Sequence, residues 1–298
     1  MSTKPTLIVI VGPTGSGKTD LSIRLARHFG APILSADSRQ VYRGMAIGSA
    51  QPTEEQLAVA QHYFVADRAV TDRFTCADFE SEALALLDKL FHTQDKVIAV
   101  GGSGLYVDAL CRGLDELPDA DIEIRNTLNA RLQSKGLEPL VELLRQLDPA
   151  YWARVDRHNP ARVVRALEVC LQTGVPYSTF RSGAATERPF DIVKIGVDME
   201  RAELYERIDR RVDEMLAAGL EAEARALYPH RNLPSLQTVG YREMFGYFAG
   251  EYSLDEAVRL IKRNSRHYAK RQMTWFRRDP SIRWFPPTDL AQIISYIT

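Results

Sequence analysis

The stretch Leu7-Ile8-Val9-Ile10-Val11-Gly12-Pro13-Thr14-Gly15-Ser16-Gly17-Lys18-Thr19 decides the fold. Its consecutive apolar, mostly β-branched residues predict a strand buried on both faces, as in a parallel sheet. The glycine-rich run behind it predicts a tight turn into a helix over Lys18 to Phe29. Small residues here let the backbone N–H groups of Gly12, Thr14, Gly15, Ser16 and Gly17 curve around phosphate oxygens, while Lys18 supplies a point charge and Thr19 a hydroxyl for Mg2+ at the helix start. The pattern names the group held, a phosphate or pyrophosphate, and leaves the reaction open.

Working outward, Ile33 to Ala36 reads as a second strand ending at Asp37, and Lys96 to Val100 as a third ending at Gly101-Gly102-Ser103-Gly104-Leu105-Tyr106. Open α/β sheets hold their ligands beyond the carboxyl ends of the strands, so these loops are expected to share one crevice. Phe79 to Phe91 has helical spacing, and Leu128 to Leu144 suggests two short helices broken near Gly136. Pro160 to Thr173 reads as a further helix with Pro160 in its first turn. Asp191 to Val197 reads as a returning core strand, followed by helices from about Glu200 to Ala218, with Gly219 as its stop, and over Leu254 to Phe276. The expected organisation is a core of residues 1–114 and 189–298 around a helical insertion of residues 115–188.

With 298 residues, 45% of them hydrophobic, the chain can bury one sizeable core and a smaller attached domain. No apolar span nears the ~20 residues of a membrane-crossing helix, and the preamble before Leu7 is too short for a secretory signal. Cys76, Cys111 and Cys170 are spaced too widely for a zinc site and read as buried thiols in a reducing compartment, the cytoplasm. The net charge of −1 hides an uneven distribution. From Arg259 to Arg283, nine basic residues, Lys270 and Arg266 among them, are opposed in sequence only by Asp279. Such a run is either a nucleic-acid backbone footprint or a solvated helix face, with Trp275 and Phe276 either stacking on bases or packing in the core.

Within the expected crevice, Asp37 either acts on substrate or caps a turn. Gln40 offers the donor and acceptor an adenine edge needs, unless it is a surface polar residue. Ser103 or Tyr106 is expected to donate to substrate, or Tyr106 to pack in a tight turn. Arg207 and Arg211 stand one helical turn apart and can neutralise a departing pyrophosphate, or pair with Glu203 or Glu214. Arg162, Arg165 and Arg242 are further candidate phosphate contacts. An ATP-hydrolysing site usually has an apolar strand ending in Asp or Glu, whereas the third strand here ends in glycines, so ATPase chemistry is disfavoured. A small-molecule kinase and an RNA chaperone stay open as rivals.

Taken together, these motifs resemble the tRNA dimethylallyltransferase (isopentenyl transferase) family over nearly the whole chain. The resemblance is carried by the opening glycine loop, Asp37-Ser38-Arg39-Gln40-Val41-Tyr42-Arg43-Gly44-Met45, Ile47-Gly48-Ser49-Ala50-Gln51-Pro52, Gly101 to Tyr106, Arg165 to Val169, Val239-Gly240-Tyr241-Arg242 and Ala269 to Arg277. It implies a P-loop nucleoside-triphosphate-hydrolase-like parallel sheet with a helical insertion that clasps a tRNA anticodon stem-loop. It also implies transfer of a dimethylallyl group from dimethylallyl diphosphate to N6 of adenosine 37, in tRNAs reading codons that begin with U. On that reading Lys18 and Thr19 grip the diphosphate with Mg2+, Asp37 takes the proton of N6, and Arg211 with Arg207 stabilises the leaving group. Ser38, Arg39, Gln40 and Ser103 line the nucleotide channel, and the protein works as a monomer. Arg39 stands where many members have Met, Ser103 replaces the frequent Thr, and His62 is a single histidine where a pair is common, so it is expected only to pack or hydrogen-bond locally.

Overall fold

A computed structural model describes residues 4–181, 183 and 185–298. Along the chain come β1 (Thr6–Val11), α1 (Lys18–Phe29), β2 (Ile33–Ser35), α2 (Glu54–Leu57), β3 (His62–Tyr63), α3 (Cys76–Leu90), β4 (Lys96–Gly101) and α4 (Gly104–Arg112). The helices α5 (Ile122–Lys135), α6 (Glu138–Leu147), α7 (Pro149–Trp152) and α8 (Pro160–Thr173) follow. The chain then returns through β5 (Asp191–Val197), α9 (Arg201–Ala217), α10 (Leu220–Leu227), α11 (Tyr241–Phe248), α12 (Leu254–Phe276), β6 (Arg283–Phe285) and α13 (Leu290–Ile297).

The six strands form one parallel sheet in the order β3-β2-β4-β1-β5-β6. β1 lies inside it, paired residue for residue with Lys96–Gly101 on one edge and with Asp191–Gly196 on the other. Both faces of β1 are covered, because Leu7, Val9 and Val11 join one core with Phe79 and Leu87 while Ile8 and Ile10 join another with Leu21, Leu25 and Ile293. That two-sided burial explains the unbroken apolar run, since no position from Leu7 to Val11 meets water. Each such side chain contributes about 1.5–3 kcal/mol of gross burial free energy.

The two glycine-rich strand-to-helix loops open at the carboxyl ends of β1 and β4, which are neighbours in the sheet, so the topology brings Gly12–Gly17 and Gly102–Ser103 side by side. Asp37 leaves the next strand over, β2, which pairs with β4. α4 begins at Gly104 directly after the glycine turn, and Thr75 with Asp78 makes a reciprocal capping box that starts α3 three residues before its first core position, Phe79. The bounds of α1, α8, β5 and α12 are those read from sequence. β3 and β6 escape such reading because two or three residues are too short to show an alternating pattern.

Residues Arg112–Glu187 form a compact unit of their own, distinct from the unit of Met1–Cys111 and Arg188–Thr298. Its helices α5, α6 and α8 pack on Leu128, Leu140, Leu144 and Leu167. Glu168 is fully buried on α8, and its carboxylate takes Arg125 at 2.7 Å and Arg165 at 2.9 Å. Asp148, also fully buried, accepts the Tyr151 and Ser178 backbone N–H groups and the Ser178 hydroxyl. Cys111 and Cys170 are buried free thiols, whereas Cys76 is only half-buried.

Candidate active site

Gly17 caps α1 in the left-handed region, φ 86°, where a side chain would be strained, and this turns the loop so that Lys18 and Thr19 enter the helix facing the cleft. Thr14, Lys18, Thr19, Asp37, Arg39 and Gln40 line that cleft, and from α9 comes Arg211. Residues as distant in sequence as Thr14 and Arg211 thus meet, with Arg211 Nη1 donating to Thr14 Oγ1 at 3.4 Å.

Two cations at close quarters shape the electrostatics. Lys18 Nζ donates to the Pro13 carbonyl at 2.6 Å. Burial lowers its pKa to about 7, the charge of Arg211 pushes the same way, and Asp37 opposes both. Burial also lowers the pKa of Arg211, with Asp37 and Glu214 countering it. Concentrated positive charge with few acidic neighbours is a site awaiting a multivalent anion. Asp37 Oδ1 accepts the Arg39 backbone N–H at 2.9 Å, which orients the carboxylate at the end of β2.

α12 closes the site on another side through Gln272 and Tyr268, two residues to which the sequence assigns no role. Gln272, 5% exposed, accepts the Thr14 backbone N–H with Oε1 at 2.8 Å and donates from Nε2 to the Gly102 carbonyl at 2.9 Å. A Cβ at Gly102 would run into Nε2, so only glycine lets the amide lie against this turn. Tyr268 lines the cleft one turn earlier, its phenol pushed up to about 12 by burial and then by the charge of Asp37. Ser103 Oγ accepts the Ser38 N–H at 3.0 Å and donates to Ser38 Oγ at 3.2 Å. The signal that could have found Tyr268 and Gln272 is their spacing with Ile261 and Ser265, which puts polar groups on the stripe of α12 that turns inward.

Several expectations need correction. Gln40 is spent on the protein, since Oε1 accepts the Ser35 hydroxyl at 2.9 Å and Nε2 donates to the Ala50 carbonyl at 2.8 Å, so it braces the loop and has no free edge for adenine. Tyr106 is 6% exposed and stacks on Phe79 at 4.4 Å between ring centres, which makes it core. Ser16 is fully buried with its hydroxyl beside Gly12, and its backbone N–H donates to the Pro13 carbonyl at 3.3 Å while the Thr14 N–H goes to Gln272, so these two donors of the loop are spent on the protein. Trp275 packs against Gly104 and donates Nε1–H to Asp108 at 3.0 Å, while Phe276 is buried, so neither presents a face to a base. Arg165 is committed to Glu168 and the Pro118 carbonyl.

Arg207 pairs with Glu203 at 3.3 Å, half-exposed, with its guanidinium beside Gly17 on the outside of the glycine loop. Arg39 lines the cleft but ties Nη1 to the Pro234 and Ser235 carbonyls at 3.1 and 3.0 Å. Arg162, Arg242 and Lys270 are exposed, the first on α8 of the helical unit. The His62 ring hydrogen-bonds the nearby Ala60 carbonyl, at 2.8 Å. The basic run is neutralised in part, because Arg259 pairs with Glu256, Lys262 with Asp213 and Arg266 with Asp209 on α12, and Arg277 just beyond it with Asp198. Three of those acids come from α9 or the turn before it, which a reading of α12 alone could not include.

No helix among the described residues is long and apolar enough to cross a membrane. The family model described as IPP transferase matches residues 40–279, most of the chain and none of the glycine loop, so its match is independent of that motif. The chain is 52% identical to tRNA dimethylallyltransferase 1 of Porphyromonas gingivalis, over 98% of each chain, and 50% identical to tRNA dimethylallyltransferase 1 of Bacteroides fragilis, over 99% of this chain and 98% of that one. Among solved structures, the full-length tRNA isopentenylpyrophosphate transferase of Bacillus halodurans superposes with a TM-score of 0.73 at 39% identity, covering 99% of this chain and 96% of that one. A eukaryotic dimethylallyltransferase captured acting on tRNA superposes with a TM-score of 0.81 at 25% identity, over 97% of this chain and 75% of that one. The fold therefore has its counterpart in solved structures of such enzymes, and the chain belongs to the IPP transferase family, that of the tRNA dimethylallyltransferases.

Proposed function

We propose that the protein transfers a dimethylallyl group from dimethylallyl diphosphate to N6 of adenosine 37 in tRNAs reading codons that begin with U. The observation that carries this is the convergence of Lys18 and Arg211 with Asp37 on one cleft. The glycine loop and Lys18 hold the diphosphate; Arg211 neutralises charge on it as it leaves. N6 attacks the allylic carbon, the C–O bond breaks, and its electron pair departs with the diphosphate. Asp37 takes the N6 proton, which an exocyclic amine conjugated to the ring gives up only as the C–N bond forms. Ser38 and Ser103, hydrogen-bonded to each other, form with Tyr268 a wall against which the extruded base is held.

The site also fits Mg2+. Thr19 and Asp37 line the same cleft, and this ion is usually bound by one or two protein oxygens together with substrate phosphates and water. Thr19 would hold it, and it would supply further charge neutralisation on the diphosphate. The reading places the protein in the cytoplasm, acting as a monomer, with exposed Arg162 of the helical unit as one contact to the anticodon stem-loop.

The test is incorporation of labelled dimethylallyl diphosphate into purified tRNA bearing adenosine 37, with and without Mg2+. Magnesium-dependent product on that base is expected. Absence of product, or phosphorylation of a small molecule in a nucleotide panel, would overturn the reading.

A further inference from the structure

Glu223, half-buried on α10, stands behind the wall of the cleft, and its carboxylate holds a turn that forms part of that wall through Gly48 and Ser49. Oε2 accepts the Ile47 N–H and Oε1 the Gly48 N–H, both at 2.8 Å, and Oε1 also accepts the Tyr241 hydroxyl at 2.6 Å. All three donors are neutral, so the charge of Glu223 is spent on fixing backbone. Two consecutive N–H groups on one carboxylate orient the peptide between them more firmly than a single bond could. Tyr241 is fully buried, and burial, then the hydrogen bond to Glu223 and its charge, push the phenol well above its ordinary pKa, which keeps it a donor. Its ring lies so close to Gly48 that a Cβ there would meet it at 2.5 Å, so the turn rests directly on the tyrosine.

The turn so held is strained. Ala50 has φ 50°, in the left-handed region that a residue with a Cβ keeps only where its neighbours over-determine it, and such positions gather at active sites. Within the turn, the Ala50 N–H donates to the Ile47 carbonyl at 3.0 Å and the Gln51 N–H to the Ala46 carbonyl at 2.9 Å. The Ala50 carbonyl accepts Gln40 Nε2, and Gln51 Nε2 returns to the Gln40 and Tyr42 carbonyls at 2.8 Å each. Gln40 Oε1 takes the hydroxyl of Ser35, the last residue of β2, and this bond closes a loop of residues 35–40 with Asp37 in its middle. The contacts thus run unbroken from Glu223, through residues 47–50 and Gln40, to the backbone that carries Asp37. A general base works only within hydrogen-bond reach of its proton, so a shift of that backbone is felt in the rate.

We infer that Glu223 is a positioning residue for Asp37, its carboxylate setting the turn of residues 45–51 and that turn, through Gln40, setting where the proton-accepting oxygens lie. This rests on the prenyl-transfer reading above and adds to it a residue outside the cleft.

The experiment is a double-mutant cycle of wild type, Glu223→Gln, Asp37→Asn and the double variant, read as single-turnover transfer from labelled dimethylallyl diphosphate to tRNA with enzyme in saturating excess. Urea unfolding and the two substrate affinities are measured alongside. An amide keeps one acceptor oxygen, so Glu223→Gln turns an NH2 towards a backbone N–H and frees one end of the turn. Transfer is expected to fall about tenfold to hundredfold, with both affinities within about threefold of wild type. The double variant is expected within about threefold of Asp37→Asn, because no carboxylate is left to position, whereas independent effects would multiply. Where Glu223→Gln does not fold, Tyr241→Phe, which keeps the carboxylate and the ring, goes through the same cycle with an expected fall of about fivefold to tenfold. A rate within about threefold of wild type, or a loss that multiplies in full in the Asp37→Asn background, overturns the inference. Either result with an active wild type leaves prenyl transfer standing, and wild type that transfers no label overturns that reading instead.

Discussion

The Gln272 side chain accepts the Thr14 backbone N–H at 2.8 Å, joining the last long helix to the glycine loop across 258 positions of sequence. Its other end holds the Gly102 carbonyl, so one amide sets the spacing between the two loops that frame the cleft. Leaving a buried N–H or carbonyl unsatisfied costs about 1–3 kcal/mol. Gln272→Met is therefore expected to weaken donor binding about 10-fold to 100-fold, by isothermal titration with dimethylallyl diphosphate. Gln272→Glu should be worse, because it adds a negative charge beside the phosphate loop. Equal affinities for Met and Glu variants would show that the amide acts only by filling space.

Asp37→Asn keeps an oxygen for the Arg39 N–H but removes the proton acceptor. Single-turnover transfer should fall about 10²-fold to 10⁴-fold, the usual range for a positioned general base, with both substrates binding within about threefold of wild type. A rate within about fivefold of wild type would remove Asp37 from proton transfer.

Lys18→Ala is expected to impair donor binding strongly and tRNA binding little. Its lowered pKa, about 7, adds a pH signature. Above pH 7 the free protein increasingly lacks the Lys18 proton, whereas a bound diphosphate stabilises the cation and raises that pKa. Binding should then take up a proton, and donor affinity should fall as pH rises from 7 to 9, by at most about tenfold per unit. The diphosphate is already ionised over this window, with a last pKa near ~6, so it does not mask the effect. Titrations in buffers of different ionisation enthalpy measure the uptake; none at pH 8 would contradict the assignment to Lys18.

Glu168→Gln should destabilise the protein without touching the cleft, since it strips a fully buried carboxylate from Arg125 and Arg165. Breaking a fully buried pair costs about 3–5 kcal/mol; here Arg125 and Arg165 keep partial contact with water, so about 2–3 kcal/mol is expected in urea unfolding of the whole chain. Stability equal to wild type would mean that the two arginines find water as readily as they find Glu168.

Local chemistry was legible wherever it involved neighbours in the chain. The glycine loop, the two-sided strand behind it, the Pro160 helix start and the apolar stripe of α9 each follow from spacing over a dozen residues or so, because backbone geometry and burial act at that range. The candidate roles of Lys18, Asp37 and Arg211 could also be named early, and the structure places all three on one cleft. Tyr106, Gln40 and Trp275 misled because the same donor groups that serve a substrate also satisfy a core.

Sequence by itself thus determined the parallel α/β core, the phosphate-binding turn and the residue types available for chemistry. Only the tertiary structure decided which of those groups are free to act. Gln272 reaches Thr14, and acids of α9 cancel cations of α12, solely because the sheet brings remote segments together. Whether a charge is available depends on what lies within a few ångströms, and that distance is a property of the folded chain.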